Sequence, residues 1–205
     1  MRFIKCVLTL SILSTALIGD YVVFKSTYSQ SPVFRAVTDS LVHASIGFLS
    51  SLLFFSHDIN VSYNVSVLNI IICTFVSSLI DIDHAVLAKS VHLKDMVNLR
   101  QRGFLHCTSL WLLITTILLM YSYVFKKVNV YLLTFMLIIA YSSHHIRDAN
   151  RRGIWLYPFG HTAAVHKYMY IFLICALPYL YALCYDLFLS DFVRHVVGFD
   201  YKIIV

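Results

Sequence analysis

The sequence predicts an all-α fold, a polytopic membrane bundle of about six transmembrane helices, or five if the first is a cleaved signal. Three observations carry that prediction. Of 205 residues, 60% are hydrophobic and 13% charged, with a mean hydropathy of +0.78; soluble domains have roughly 45–50% apolar and about 25% charged residues. The apolar residues fall in runs long enough to cross a hydrocarbon core. Lys and Arg gather in the short connections between those runs, so the net charge of +6 reads as membrane topology. A nucleic-acid partner is not expected, because a binder shows one clustered basic face. The chain reads as one integral-membrane domain over 1–205, with the lipid bilayer as its principal partner.

The elements follow in order. Residues 1–24 place Arg2 and Lys5 before an apolar core, Cys6–Ile18. They suit a signal peptide with Ser14-Thr-Ala16 as cleavage site, or a first span continuing through Tyr21–Phe24. Resumed apolar residues after the core favour the span. A second span covers about Ala36–Phe55, a third about Val65–Ile80, a fourth about His106–Phe125 and a fifth about Val130–Tyr141. The stretch 150–167 mixes Trp155, Tyr157 and Phe159 with Gly153, Pro158 and Gly160, a composition suited to the membrane interface. The last span covers 168–189 with Pro178 inside, and 190–205 is a short tail. Residues 36–162 form the motif-bearing core.

Side groups expected to matter little are quickly named. Cys6, Cys73, Cys107, Cys175 and Cys184 are odd in number, lack a CxxC pair and mostly lie in apolar runs, as small buried hydrophobes do. Asn60 and Asn64 begin Asn-X-Ser sequons close to two spans, where unused matches are expected.

Topology yields the main inference. With six alternating spans, ten Lys and Arg residues fall on the face holding the connections after spans one, three and five, and six on the other. The richer face is expected in the cytosol. That face also receives Asp39 and His43 from span two, Asp81, Asp83 and His84 from span three, His106 from span four, and His144, His145 and Asp148 from span five. Simple solvated helix ends would share these types between both faces. Several helix ends bringing imidazole and carboxylate to one layer resemble a metal site in a helical bundle. Those ligands suit one or two divalent metals: zinc, manganese or iron.

Helical geometry sharpens the set. At 100° per residue, Asp39 and His43 lie about 40° apart, as do His144 and Asp148. Asp81 and His84 lie about 60° apart, but Asp81 and Asp83 about 160°, so both aspartates cannot face one site on a regular helix. The expected metal ligands are therefore His43, Asp81, His84, His106, His144 and Asp148, with His145 a neighbour. Asp83 is the expected general base, and Arg102 and Arg147 an expected phosphate clamp. The alternative is structural: an unpaired Asp at a span centre costs about 2.5–3.5 kcal/mol, which salt bridges to Arg100, Arg102 or Arg147 would offset.

Five segments carry a resemblance. Asp39-Ser-Leu-Val-His-Ala-Ser-Ile-Gly47, Ile80-Asp-Ile-Asp-His84, Arg102-Gly-Phe-Leu-His-Cys107, Ser143-His-His-Ile-Arg-Asp148 and Arg152-Gly-Ile-Trp-Leu-Tyr-Pro-Phe-Gly160 resemble, in order, the animal transmembrane protein 267 family over about Phe34–Thr162. That family implies a multi-pass membrane protein and little chemistry. A more distant likeness is to bacterial inner-membrane metal-dependent hydrolases of the LexA-regulated type. The matching positions are His43, Asp81, Asp83, His84, Arg102, Gly103, His106, His144, Asp148, Gly153, Pro158 and Phe159. Gln101 stands where those proteins carry a His, a departure bearing on catalysis more than on fold. Two functions are expected: a membrane-embedded metal-dependent hydrolase of a lipid or other membrane-borne ester or phosphoester, or a non-catalytic membrane protein, an assembly partner or a metal or proton carrier.

Overall fold

The computed structural model describes residues 2–90, 92 and 102–194. Gln101, Arg100 and the tail from 195 on lie outside the described residues. Seven helices and a small hairpin make up the described fold: α1 (Arg2–Phe24), α2 (Pro32–Phe55), α3 (Tyr63–Leu79), α4 (Asp83–Ala88), α5 (Thr108–Val124), α6 (Val128–Arg152), β1 (Trp155–Leu156), β2 (Gly160–His161) and α7 (Lys167–Arg194). Single 3-10 turns sit at Thr27–Gln30, Ile80–Ile82 and Phe104–His106.

Local sequence explains the boundaries. Ser31 caps α2, its hydroxyl accepting from Phe34 N, and Pro32 follows at the first helical position, where its missing N–H costs nothing. Lys89, at φ 50°, ends α4 in the left-handed conformation. Gly153, at φ 70°, ends α6, and a Cβ there would sit 1.9 Å from the Thr162 carbonyl oxygen, so only glycine fits the turn. α7 includes Pro178 and is one helix from Lys167 to Arg194.

Among the described residues, four stretches are long and apolar enough to cross a membrane: Arg2–Phe24, Pro32–Phe55, Tyr63–Ala88 and Lys167–Leu189. Thr108–Val124 is a shorter apolar helix of 17 residues. α6 runs past its expected end at Tyr141 for three further turns, to Arg152. It tolerates that polar extension because it is the central helix, packed against α2, α3, α5 and α7 and buried almost throughout Tyr131–Ala149. Its charged groups meet protein rather than acyl chains. The chain is thus an integral, multi-pass, all-α membrane protein.

Two apolar cores flank this central helix. One joins Phe54, Tyr131, Phe135, Met136, Ile139 and Tyr185 toward the start of α6. The other joins Ile12, Ala16, Val42, Ile46, Tyr170 and Ile174, where α1, α2 and α7 meet. α1 is therefore part of the bundle. The segment expected at the interface folds as an antiparallel hairpin, Trp155 opposite His161 and Leu156 opposite Gly160, that exposes Tyr157 and Phe159.

Candidate metal centre

α3 and the tightened turn after it prepare the site. Gly47 of α2 lies against Ser77 of α3, where an added Cβ would be 2.6 Å from the serine Cβ. Ser77 donates its hydroxyl to the His43 carbonyl at 2.9 Å, locking the two helices. Ser77 is also among the last four residues of α3, whose carbonyls lack partners within their own helix. The His144 ring, from α6, supplies one: Nδ1 donates to the Ser77 carbonyl at 2.8 Å. That bond fixes the tautomer, leaving Nε2 with a free lone pair.

A 3-10 turn over Ile80–Ile82 changes the angular spacing of the following carboxylates. On a regular helix Asp81 and Asp83 diverge too far to share a site. Here they approach opposite edges of one imidazole: Asp81 Oδ1 is 3.4 Å from His106 Nε2, and both Asp83 oxygens are 3.1 Å from His106 Nδ1. Gly103 permits the approach, since a Cβ there would be 2.3 Å from the Asp83 carboxyl carbon.

The result is a compact group of Asp81, His106, His144 and Asp148, whose ligating atoms all lie within 4.8 Å of one another. His106 Nε2 and His144 Nε2 face each other at 3.3 Å. Asp148 Oδ2 is 3.5 Å from His106 Nε2, and Asp81 Oδ1 is 3.6 Å from His144 Nε2. Ligand atoms about 2.0–2.1 Å from a tetrahedral zinc stand roughly 3.3–3.4 Å apart, close to these edges. Asp83 behind His106, and the Ser77 carbonyl behind His144, match the partners that usually orient metal-ligating histidines. The donor set therefore fits a divalent metal.

Electrostatics agree. Carboxylate oxygens of Asp81, Asp83 and Asp148 stand 3.4, 3.1 and 3.5 Å from the ring nitrogens of the buried His106. The pocket thus favours a cation, whether proton or metal. Around it, the carboxylates Asp20, Asp39, Asp81, Asp83 and Asp148 face the guanidinium groups Arg102, Arg147 and Arg151 among the described residues.

Other expected residues take different places. His43 joins the cluster, its ring stacked 3.7 Å from His144, but Arg147 Nη1 donates to its Nε2 at 2.9 Å. The ligand lone pair is therefore used, and His43 is a buried neighbour rather than a ligand. Arg147 is no phosphate clamp: it is buried, bound to Asp20 at 3.2 Å and Asp39 at 2.7 Å. Asp83 is buried against His106 and does not line the cavity beside the cluster, so it orients an imidazole instead of serving as base. His84 is partly exposed, stacks 4.9 Å from His106 and forms a second triplet with Asp83 and His106. Arg102 lines the cavity while donating to the Gly153 and Asp148 carbonyls. His145 turns away: Nε2 donates to the Leu105 carbonyl and Nδ1 accepts from the Thr108 hydroxyl.

Asp20 was not foreseen. It pairs with Arg147 and accepts a hydrogen bond from the Tyr170 hydroxyl, tying α1 and α7 to the site. An acid late in the otherwise apolar first span was the available signal. Ser77 and Arg151 also went unforeseen. Arg151, which bonds Asp148 at 2.8 Å and approaches Asp39 at 3.5 Å, could have been found as the residue one turn beyond Asp148.

Fold and cluster together define a polytopic membrane protein whose central helix carries a His/Asp centre enclosed by the bundle. Comparison with known proteins gives the family. The chain is 33% identical to transmembrane protein 267 of Bos taurus over 179 residues, 84% of this chain and 81% of that one. It is 37% identical to that of Danio rerio over 148 residues, 71% of this chain and 65% of the relative. Against Mus musculus it is 28% identical over 182 residues, 85% and 83% of the two chains. The chain belongs to the transmembrane protein 267 family. No family model and no solved structure matches it.

Proposed function

We propose that this protein is a membrane-embedded, metal-dependent hydrolase of a membrane-borne ester, with Asp81, His106, His144 and Asp148 as ligands. One observation carries the reading. Two imidazoles whose Nδ1 atoms are already engaged point their Nε2 atoms at each other across 3.3 Å, between two carboxylates. Such a set needs a positive charge in its middle, a shared proton or a metal ion, and two imidazoles with two carboxylates are a ligand set for the metal. A divalent ion held there would supply Lewis-acid polarisation of an ester.

The protein's own groups do the rest. Asp83 and the Ser77 carbonyl hold the two imidazoles in their ligating tautomers. Arg151 and Arg102 keep Asp148 in place. His84, with Nδ1 facing Asp81 at 3.8 Å and its ring lining the cavity, is placed to carry a proton on Nε2 to a departing oxygen.

Metal analysis of detergent-purified protein tests it. The expected result is about one zinc, manganese or iron per chain, lost in His144→Ala, with ester hydrolysis lost alongside. Stoichiometric absence of metal in the wild type would sink the proposal. The second reading, a non-catalytic carrier or assembly partner, is favoured by the Asp20–Arg147–Asp39 pairing, which joins α1, α2 and α6 with no role in a reaction. It predicts that His106→Ala and Asp148→Ala fail to accumulate, whereas an enzyme would accumulate and lose turnover.

A further inference from the structure

Next to the cluster lies a cavity of about 480 Å³ between α2, the end of α3 and the end of α6. Its walls differ in kind. Asp81, Asp148 and His84 form one side, continuous with the metal centre. Arg35, Arg151 and Arg152 form a basic rim. Arg151 is engaged with Asp39 and Asp148, but Arg35 and Arg152 have no carboxylate partner among the described residues. The remaining wall is apolar: Val37 and Leu41 of α2, Leu79 of α3 and Ile82 after it, each more than half exposed. On membrane-spanning helices such side chains face acyl chains. The apolar wall is therefore continuous with the lipid-facing surface, and Ser40 and Ser78, bonded at 2.6 Å, close the seam between α2 and α3 beside it.

We infer that this cavity admits its ligand from the bilayer, and that the ligand is a phosphate-bearing lipid. Its anionic headgroup would lie between Arg35 and Arg152, beside the centre, with its acyl chain running out over the exposed Leu41 and Leu79 on the lipid-facing side of the closed seam. Guanidinium groups without carboxylate partners suit a phosphate, which accepts their paired N–H donors. A site for a water-soluble ester would not need an open apolar wall at this depth. The volume falls in the range of small-molecule sites, room for a headgroup but not for a whole lipid, so the chain must remain outside. The inference deepens the hydrolase reading and rests on it only for what happens to the ligand after binding.

The test is a binding series on the full chain in maltoside micelles, read by displacement of a fluorescent phosphatidate. Competitors are dioleoyl phosphatidate, dioleoylglycerol, glycerol 3-phosphate and inorganic phosphate. Phosphatidate is expected to compete at least tenfold better than any of the others. Arg35→Gln with Arg152→Gln should weaken phosphatidate about tenfold or more. Leu41→Trp with Leu79→Trp, at exposed positions on the apolar wall, should weaken it similarly by crowding the path of the acyl chain. Equal competition by dioleoylglycerol would overturn the phosphate assignment, and equal competition by glycerol 3-phosphate would overturn access from the bilayer. The wild-type series decides both points even where a variant fails to accumulate. Metal content, measured on the same samples, separates the two proposals. Metal-free protein that still prefers phosphatidate refutes the hydrolase reading alone, and metal-loaded protein without that preference refutes this one alone.

Discussion

The two halves of α6 solve opposite problems with one helix. Its first half, from Tyr131 to Ala140, buries aromatic and aliphatic groups: Phe135 packs on Phe54 at 6.1 Å and on Tyr185 at 5.4 Å, and the Tyr131 hydroxyl donates to the Tyr185 carbonyl. Its second half, from His144 to Arg151, buries two imidazoles, a carboxylate and the Arg147 guanidinium. The first half is held by many weak dispersion contacts, since the lipid tails give packing within a bilayer little hydrophobic advantage. The second is held by a few directional bonds, each with a named partner. Loss of one contact is therefore shared among neighbours in the first half and concentrated in the second.

Substitutions can break or sharpen this contrast. The largest effect is expected at the ligands: His144→Ala or Asp148→Ala should abolish stoichiometric metal, read by mass spectrometry on purified protein. Next comes Arg147→Met, which removes the cation shared by the partly buried Asp20 and Asp39 and leaves Asp39 with Arg151 at 3.5 Å. A broken buried pair costs about 3–5 kcal/mol, so a large drop in thermal stability in detergent is expected. Restoring much of it with Asp39→Asn in the same chain would show that unpaired charge is the cause. Asp83→Asn should keep the fold and weaken metal affinity about 10–100-fold, the usual cost of losing an orienting partner, as measured by chelator competition. The smallest effect belongs to the apolar half. Phe135→Leu should cost about 1–2 kcal/mol with metal content unchanged. A Phe135→Leu variant that lost its metal would erase the contrast between the halves.

Much of the site's composition was readable before its arrangement. Asp81, His106, His144 and Asp148 were all expected on one face, because alternating spans assign each helix end to a side. Their division of labour was not. His43 was expected as a ligand from its spacing to Asp39, but its Nε2 accepts from Arg147, a residue more than a hundred positions away. Asp83 was expected as a general base, outside the ligand set because a regular helix turns it away from Asp81; after the 3-10 turn at Ile80–Ile82 it stands against His106 Nδ1 instead. Arg147 was expected in a phosphate clamp, but only the packing of α1 shows that Asp20 takes it.

The sequence by itself determined that this chain crosses a membrane as a helical bundle and that its histidines and aspartates collect toward one side. Those properties follow from hydropathy, span length and alternation, which are local or counted along the chain. Tertiary structure decided which nitrogen of each imidazole is free, which carboxylates are already paired, and that α6 is the shielded central helix. It also decided that Arg35, Arg151 and Arg152 share one cavity with Asp81 and Asp148. A lone pair or an unpaired charge is defined by its neighbours in space, and here those neighbours come from helices far apart in the chain.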